Sequence, residues 1–133
     1  MRKATLILDD DTRFCGYSFG AHKCIGGEVV FNTAMTGYTE SLTDPSYAGQ
    51  IMVLTYPLIG NYGVPANDLW ESTQIHAEAL IVSDYSEDYS HWNAKESLGD
   101  WLKREQRPAI TGIDTRALTR LLLERGVMMG RIE

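Results

Sequence analysis

The densest group of side chains suited to chemistry lies between residues 31 and 63. Hydroxyl, amide and carboxyl groups surround Gly37, Pro45 and Gly49 in the first half of this segment, and they belong to Asn32, Thr33, Thr36, Tyr38, Glu40, Thr43, Asp44, Ser46 and Tyr47. A loop of this composition can present hydroxyls and backbone groups to a ligand or a partner domain. The same composition suits a connecting loop that satisfies its own hydrogen bonds, so spacing alone leaves both interpretations open.

Nucleophilic catalysis has no evident centre in this sequence. An activated Ser or Cys usually stands on a sharp, glycine-flanked turn, and neither a G-x-S-x-G nor a G-x-C-x-G motif occurs. Cys15 lies in a strand pattern and Cys24 in a loop, which favours packing residues or exposed free thiols. His22, His76 and His91 lack metal-site spacing, so structural or surface roles are favoured and no zinc site is expected.

Phosphate binding is not indicated either. A phosphate loop places its glycines between a strand and a helix, so that backbone N–H groups converge. Residues 60–63 (GNYG) follow a strand pattern but lack the Lys-Ser/Thr ending and a following helix, and Gly26 and Gly27 precede a strand instead. The three aspartates at 9–11 are typical of a turn rather than a metal site, because Asp side chains bond their own backbone.

Charge and length limit the possible classes of protein. The 133 residues fit one domain, and 12 Lys and Arg against 18 Asp and Glu give a net charge of −6, which argues against a nucleic-acid footprint. Arg116, Arg120, Arg125 and Arg131 stand near the C-terminus among acidic residues, and we interpret them as the solvated side of a helix. Two free cysteines and the lack of an apolar leader predict a reducing cytoplasm.

Strand patterns dominate the first two thirds of the chain. Residues 4–8 and 13–17 predict a hairpin, and a further strand over 28–33 follows the Gly26-Gly27 pair. Residues 50–56 are apolar on both alternating faces, which predicts a strand covered on both sides. Further strands are predicted over residues 76–82, 109–113 and 127–129, and a short helix after Thr36 that ends before the Asp44-Pro45 pair.

Two main helices are predicted towards the C-terminus. Leu98, Trp101 and Leu102 have i, i+3, i+4 spacing, with Asn93 or Ser97 as candidate N-caps. The second helix is predicted to begin after Asp114 and to end at Gly126. Hairpins followed by alternating strands and helices indicate an α/β domain with mixed sheets, arranged as layers of sheet, sheet and helix.

Four blocks of the chain resemble the small chain of glutamine-dependent carbamoyl phosphate synthetase. They are residues 31–38 (FNTAMTGY), 42–47 (LTDPSY), 55–63 (TYPLIGNYG) and 112–119 (GIDTRALT), in the family's order. The resemblance covers only the N-terminal domain of that small chain. It implies that residues 1–133 form this domain, with the three-layer β/β/α swivelling fold. It also implies that the class I glutamine amidotransferase domain that should follow is absent.

The resemblance also implies a function. The parent enzyme hydrolyses glutamine in the small chain and passes ammonia to a large chain, which uses ATP with a divalent cation and bicarbonate to make carbamoyl phosphate for arginine and pyrimidine synthesis. The chain itself is then a non-catalytic domain without a cofactor, which docks to the large chain and supports the glutaminase domain. Ser46 matches the family serine that contacts bound glutamine, and we expect the isolated chain to be inactive.

Two other classes of protein remain compatible with the sequence. One is a free-standing small-molecule-binding or adaptor domain that reuses the fold, because one architecture hosts many functions. The other is an autonomous hydrolase that uses Cys15 or Cys24, which the missing elbow motif disfavours.

Overall fold

The described part of the chain, in a computed structural model, comprises residues 2–32, 38–55, 64–65, 74–85 and 94–133. Its strands are β1 (Lys3–Leu8), β2 (Arg13–Ser18), β3 (Ile25–Asn32), β4 (Gln50–Leu54), β5 (Val64–Pro65), β6 (Ala79–Ile81), β7 (Ala94–Glu96), β8 (Ala109–Thr111) and β9 (Met128–Ile132). Its helices are α1 (Tyr38–Thr43), α2 (Leu98–Arg104) and α3 (Thr115–Arg125), with a 3₁₀ turn at Pro45–Tyr47.

Seven strands form one closed sheet in the order β1-β2-β8-β6-β4-β3-β9, and β9 pairs back onto β1. The hairpin β1–β2 is antiparallel, whereas β3, β4, β6 and β8 run parallel to one another. The remaining strands β5 and β7 form a separate antiparallel pair. Closure pairs both edges of each of the seven strands, which removes the exposed edges that favour aggregation.

The inside of the closed sheet holds one of two apolar clusters. It takes alternate residues from six of the strands, among them Leu6, Ile51 and Ile81, all fully buried. Helix α3 adds Leu118 and Leu122 from its apolar face. Because side chains alternate across a strand, the residues between these positions face outward.

The second cluster covers the outer face of the parallel strands. Met52 and Leu80 point into it, and α1 and α2 bring Leu42 and Trp101, each fully buried. The double cover predicted for the strand at residues 50–56 is therefore confirmed over β4, whose two faces belong to different clusters.

Local predictions based on caps and turns are confirmed. Asp114 accepts a hydrogen bond from the amide of Ala117 at 3.0 Å and begins α3, and Gly126 ends it with a φ of 80°. Ser97 caps α2 through the amide of Asp100, at 3.1 Å. In the aspartate turn, Asp10 accepts from the amide of Thr12 at 3.0 Å.

Strand limits were predicted less well. The strand expected over residues 76–82 is confined to Ala79–Ile81, because the amide of His76 donates instead to the carbonyl of Leu42. Strand β3 includes the glycine pair, and a Cβ on Gly27 would lie 2.6 Å from the carbonyl oxygen of Gly49. Thus Gly27 allows β3 and the chain before β4 to approach closely.

The α/β class and the mixed sheet are confirmed. Both main helices are present, and the short helix expected after Thr36 is α1, although Thr36 itself lies outside the described residues. The three-layer swivelling description is not confirmed, because a single sheet closes on itself. None of the helices in the described ranges is long and apolar enough to cross a membrane.

Candidate functional site

Ser46 lies in the 3₁₀ turn that joins α1 to β4. Asp44 precedes the turn in an extended conformation, and its carboxylate accepts from the amide of Ser46 at 3.0 Å. Pro45 occupies the first helical position, where its fixed φ suits the turn. The amides of Tyr47 and Ala48 each donate to carbonyls three residues earlier at 3.1 Å. The sequence DPSY therefore folds into a turn stabilised by its own backbone and by one carboxylate.

The hydroxyl of Ser46 is available to a ligand. The residue is exposed, and its side-chain oxygen makes no hydrogen bond to any residue that the structure describes. A serine hydroxyl can both donate and accept, so it can bond the amide, the carboxylate or the ammonium group of an amino acid. The turn thus presents one adaptable polar group from a fixed backbone.

Asn32 connects this turn to the sheet and to α1. Its side-chain amide nitrogen donates to the hydroxyl of Ser41 and to the phenolic oxygen of Tyr47, both at 3.0 Å. Asn32 ends β3 beside Leu54, the last residue of β4, so a single amide holds the neighbouring helix and turn against the strands. These contacts position the turn that carries Ser46.

The segment before β6 supports the turn from the other side. Ala77 forms a bridge with Ala48, and the amide of Ile75 donates to the Glu105 carboxylate at 2.6 Å. The guanidinium of Arg107 donates to the carbonyl of Ile75 at 3.1 Å. Sequence reasoning missed Glu105 and Arg107, since their partners lie 30 and 32 residues away.

Among the residues that the structure describes, the other candidate side chains are not brought together at one site. Cys15 and Cys24 are exposed free thiols. Cys24 and His22 line one cavity of about 220 Å³, but the structure shows no hydrogen bond between them, and the His22 ring lies 3.1 Å from the Arg2 guanidinium. His91 lies outside the described residues, as do Thr33, Thr36 and the glycines of residues 60–63. Within the described ranges, no three His, Cys, Asp or Glu side chains group as metal ligands would.

Three of the four arginines near the C-terminus, Arg116, Arg120 and Arg125, lie on α3 and are exposed, as the sequence interpretation expected. That interpretation was wrong for Arg131, which lies on β9 and pairs with Glu133 at 2.6 Å. Arg125 reaches Asp10 at 3.3 Å.

Chemically, the Ser46 turn offers one hydroxyl on a well-held backbone, and such a group can orient a polar substrate. Acyl transfer also needs a base that accepts a hydrogen bond from the attacking hydroxyl, and the Ser46 hydroxyl makes no such bond to the residues that the structure describes.

Comparison with known proteins identifies a matching family. Residues 6–132 match the family model described as carbamoyl-phosphate synthase small chain, CPSase domain. The multifunctional protein URA2 of Saccharomyces cerevisiae is 52% identical, over 98% of this chain and 6% of its own length. The carbamoyl phosphate synthase arginine-specific small chain of Eremothecium gossypii is 49% identical, over 99% of this chain and 35% of its own.

The same small chain from Saccharomyces cerevisiae is 50% identical, and this chain spans 34% of it. The chain thus spans about a third or less of these relatives. Among solved structures, an aminopeptidase from Aneurinibacillus sp. strain AM-1 has a TM-score of 0.53 at 14% identity, over 98% of this chain and 30% of that one. This last likeness shows the fold alone.

Proposed function

Because the chain belongs to the carbamoyl-phosphate synthase small-chain family, we propose that it is the non-catalytic N-terminal domain of such a small chain. In this role it docks to the large chain and supports glutamine hydrolysis and ammonia delivery. The observation that carries the proposal is the family match over residues 6–132, together with about 50% identity to arginine-specific small chains. The relatives include arginine-specific small chains and multifunctional proteins, so the similarity does not distinguish between the arginine and pyrimidine pathways.

Ser46 is the residue through which this domain contacts glutamine in our proposal. Its hydroxyl is exposed, and the cap from Asp44 fixes its backbone. The remaining contacts come from the glutaminase domain of the parent enzyme, so this chain supplies one edge of a shared site. A single exposed hydroxyl cannot offset the entropy of immobilising a free amino acid, and the isolated chain should not retain glutamine.

The chemical steps belong to other parts of the parent enzyme. The nucleophile and base for glutamine hydrolysis lie in the glutaminase domain, and ATP with its divalent cation binds to the large chain. We propose no cofactor for this chain and a cytoplasmic location for the enzyme. We also propose that the three-layer β/β/α swivelling description applies to this domain, with the parallel strands as one sheet layer, the antiparallel strands as the other and α1 and α2 as the helical layer.

Calorimetry and a hydrolysis assay on the isolated chain test the proposal. We expect no saturable heat with glutamine and no ammonia release. Clear micromolar glutamine binding would instead favour a free-standing small-molecule-binding domain. Ammonia release that disappears when Cys15 or Cys24 is replaced by alanine would favour an autonomous hydrolase.

A further inference from the structure

A cavity of about 540 Å³ opens along the first turns of α3, and Ser46 is not among the residues that line it. Thr55, directly after β4, and Ser83, two residues after β6, bring hydroxyl groups to its wall. Helix α3 contributes Arg116, Thr119 and Arg120. The cavity therefore lies beyond the carboxyl ends of two adjacent parallel strands, which is where α/β proteins commonly bind ligands and partners.

Arg116 and Arg120 have no acidic partner among the described residues. Four other arginines do have such partners, in the pairs Arg104–Glu96, Arg107–Glu78, Arg125–Asp10 and Arg131–Glu133, whereas Arg2 and Arg13 have none in the described ranges. Arg116 and Arg120 are exposed and lie four residues apart on α3, so their two positive charges are neighbours on one helix face. Like charges at i and i+4 also repel along a helix, so the pair disfavours α3 unless an anion lies between them.

Thr119 adds a second unsatisfied group on the same wall. Its hydroxyl oxygen is buried and has no hydrogen-bond partner in the described structure. A buried hydroxyl that lacks a partner lowers stability, and native proteins contain few of them. The oxygen is closed off from solvent, so it is not itself a contact for a ligand in the cavity.

One feature of the cavity favours a polypeptide over a small anion. Leu123 lines the cavity beside the arginines, and 69% of this side chain is exposed. Arginines beside an uncovered apolar side chain are typical of a protein interface.

We propose that this cavity, through Arg116, Arg120 and Leu123, receives an acidic segment of the carbamoyl phosphate synthase large chain. The inference rests on the proposed docking function and specifies the surface and the chemistry of the partner. The two guanidinium groups bind Asp or Glu side chains of that segment, and Leu123 packs against a neighbouring apolar residue.

The inference is tested by calorimetric titration of a carbamoyl phosphate synthase large chain with this chain and with its variants. The charge reversal R116E/R120E should weaken binding about tenfold or more, because it sets like charges against the acidic segment. The control R13E/K103E makes the same change in net charge at exposed positions outside the cavity, and it should bind within about twofold of the unchanged chain. Leu123→Ser should weaken binding without any change of charge.

The outcomes separate the inference from the function on which it rests. If the unchanged chain does not bind the large chain, the proposed docking function fails. If it binds and R116E/R120E binds equally well, or no more weakly than the control, the cavity is not the docking surface. Saturable binding of inorganic phosphate that R116E/R120E abolishes, with large-chain binding intact, would make the cavity a small-anion site and overturn the inference. Equal thermal midpoints for all variants show that folding is unaffected.

Discussion

Replacing Ser46 by alanine should raise the KM for glutamine without affecting the fold. The hydroxyl is exposed and has no partner in the described structure, so its removal leaves no unsatisfied buried group, and stability should change by no more than about 0.5 kcal/mol. A hydrogen bond between neutral groups contributes about 0.5 to 1.5 kcal/mol. The loss therefore corresponds to about a two- to twelvefold rise in KM for glutamine.

The assay compares glutamine with ammonia as nitrogen source, in an enzyme that carries this chain as the N-terminal region of its small chain. The KM for glutamine should rise, while ammonia-dependent synthesis of carbamoyl phosphate stays unchanged because ammonia bypasses the glutamine site. Ser46→Thr keeps a hydroxyl and should recover most of the affinity. An unchanged glutamine KM in the alanine variant would refute the role given to Ser46, and an equal loss with ammonia would indicate a structural effect.

Three further substitutions test the supports of this turn and of the fold. Asn32→Leu removes two donated hydrogen bonds at 3.0 Å and should cost about 1 to 3 kcal/mol in denaturant unfolding, with faster amide exchange at Tyr47; an unchanged exchange rate would contradict its positioning role. Trp101→Ala empties a fully buried site and should cost about 3 to 5 kcal/mol, whereas Tyr17→Ala, at an exposed position, should cost far less; similar losses would contradict the assigned core. The hydrogen bonds from Thr12 hold the pKa of Asp10 below its ordinary value, so its contribution to stability is present at neutral pH and is lost as the pH falls through that lowered pKa. Asp10→Asn should therefore melt below the unchanged chain at neutral pH and together with it in acid, and a gap that persists in acid would contradict this.

Features set by neighbouring residues could be predicted from the sequence. The caps at Ser97 and Asp114 and the aspartate turn depend on contacts between residues two or three positions apart. The double cover of β4 could be read from its uninterrupted apolar run, because a strand exposed on one face would alternate. In each case the residues that determine the feature lie within a few positions of one another in the sequence.

Closure of the sheet depends on contacts that no short window contains. Strand β9 lies between β1 and β3, so the last strand of the chain joins the first, and β8 pairs with β2 across more than half of the sequence. The strand predicted over residues 76–82 was too long because its first residues bond to α1 and to the turn before β4 instead.

In the candidate site, too, the features set by neighbouring residues could be predicted and those set by distant contacts could not. The rigid turn around Ser46 could be expected from the Asp44-Pro45 pair. The contact of Asn32 with Tyr47, 15 residues away, and that of Glu105 with Ile75, 30 residues away, depend on the folded topology. The role of Ser46 itself came from a resemblance to a family, since a serine in a turn has no chemical signature of its own.

A domain exchange tests the assignment of this chain most directly. This chain would replace the corresponding N-terminal region in the arginine-specific small chain of Saccharomyces cerevisiae, to which it is 50% identical. Carbamoyl phosphate synthesis by that chimera with its large chain would then be measured. We predict that synthesis from glutamine is retained. A folded chimera that leaves the large chain with ammonia-dependent synthesis alone would contradict the assignment.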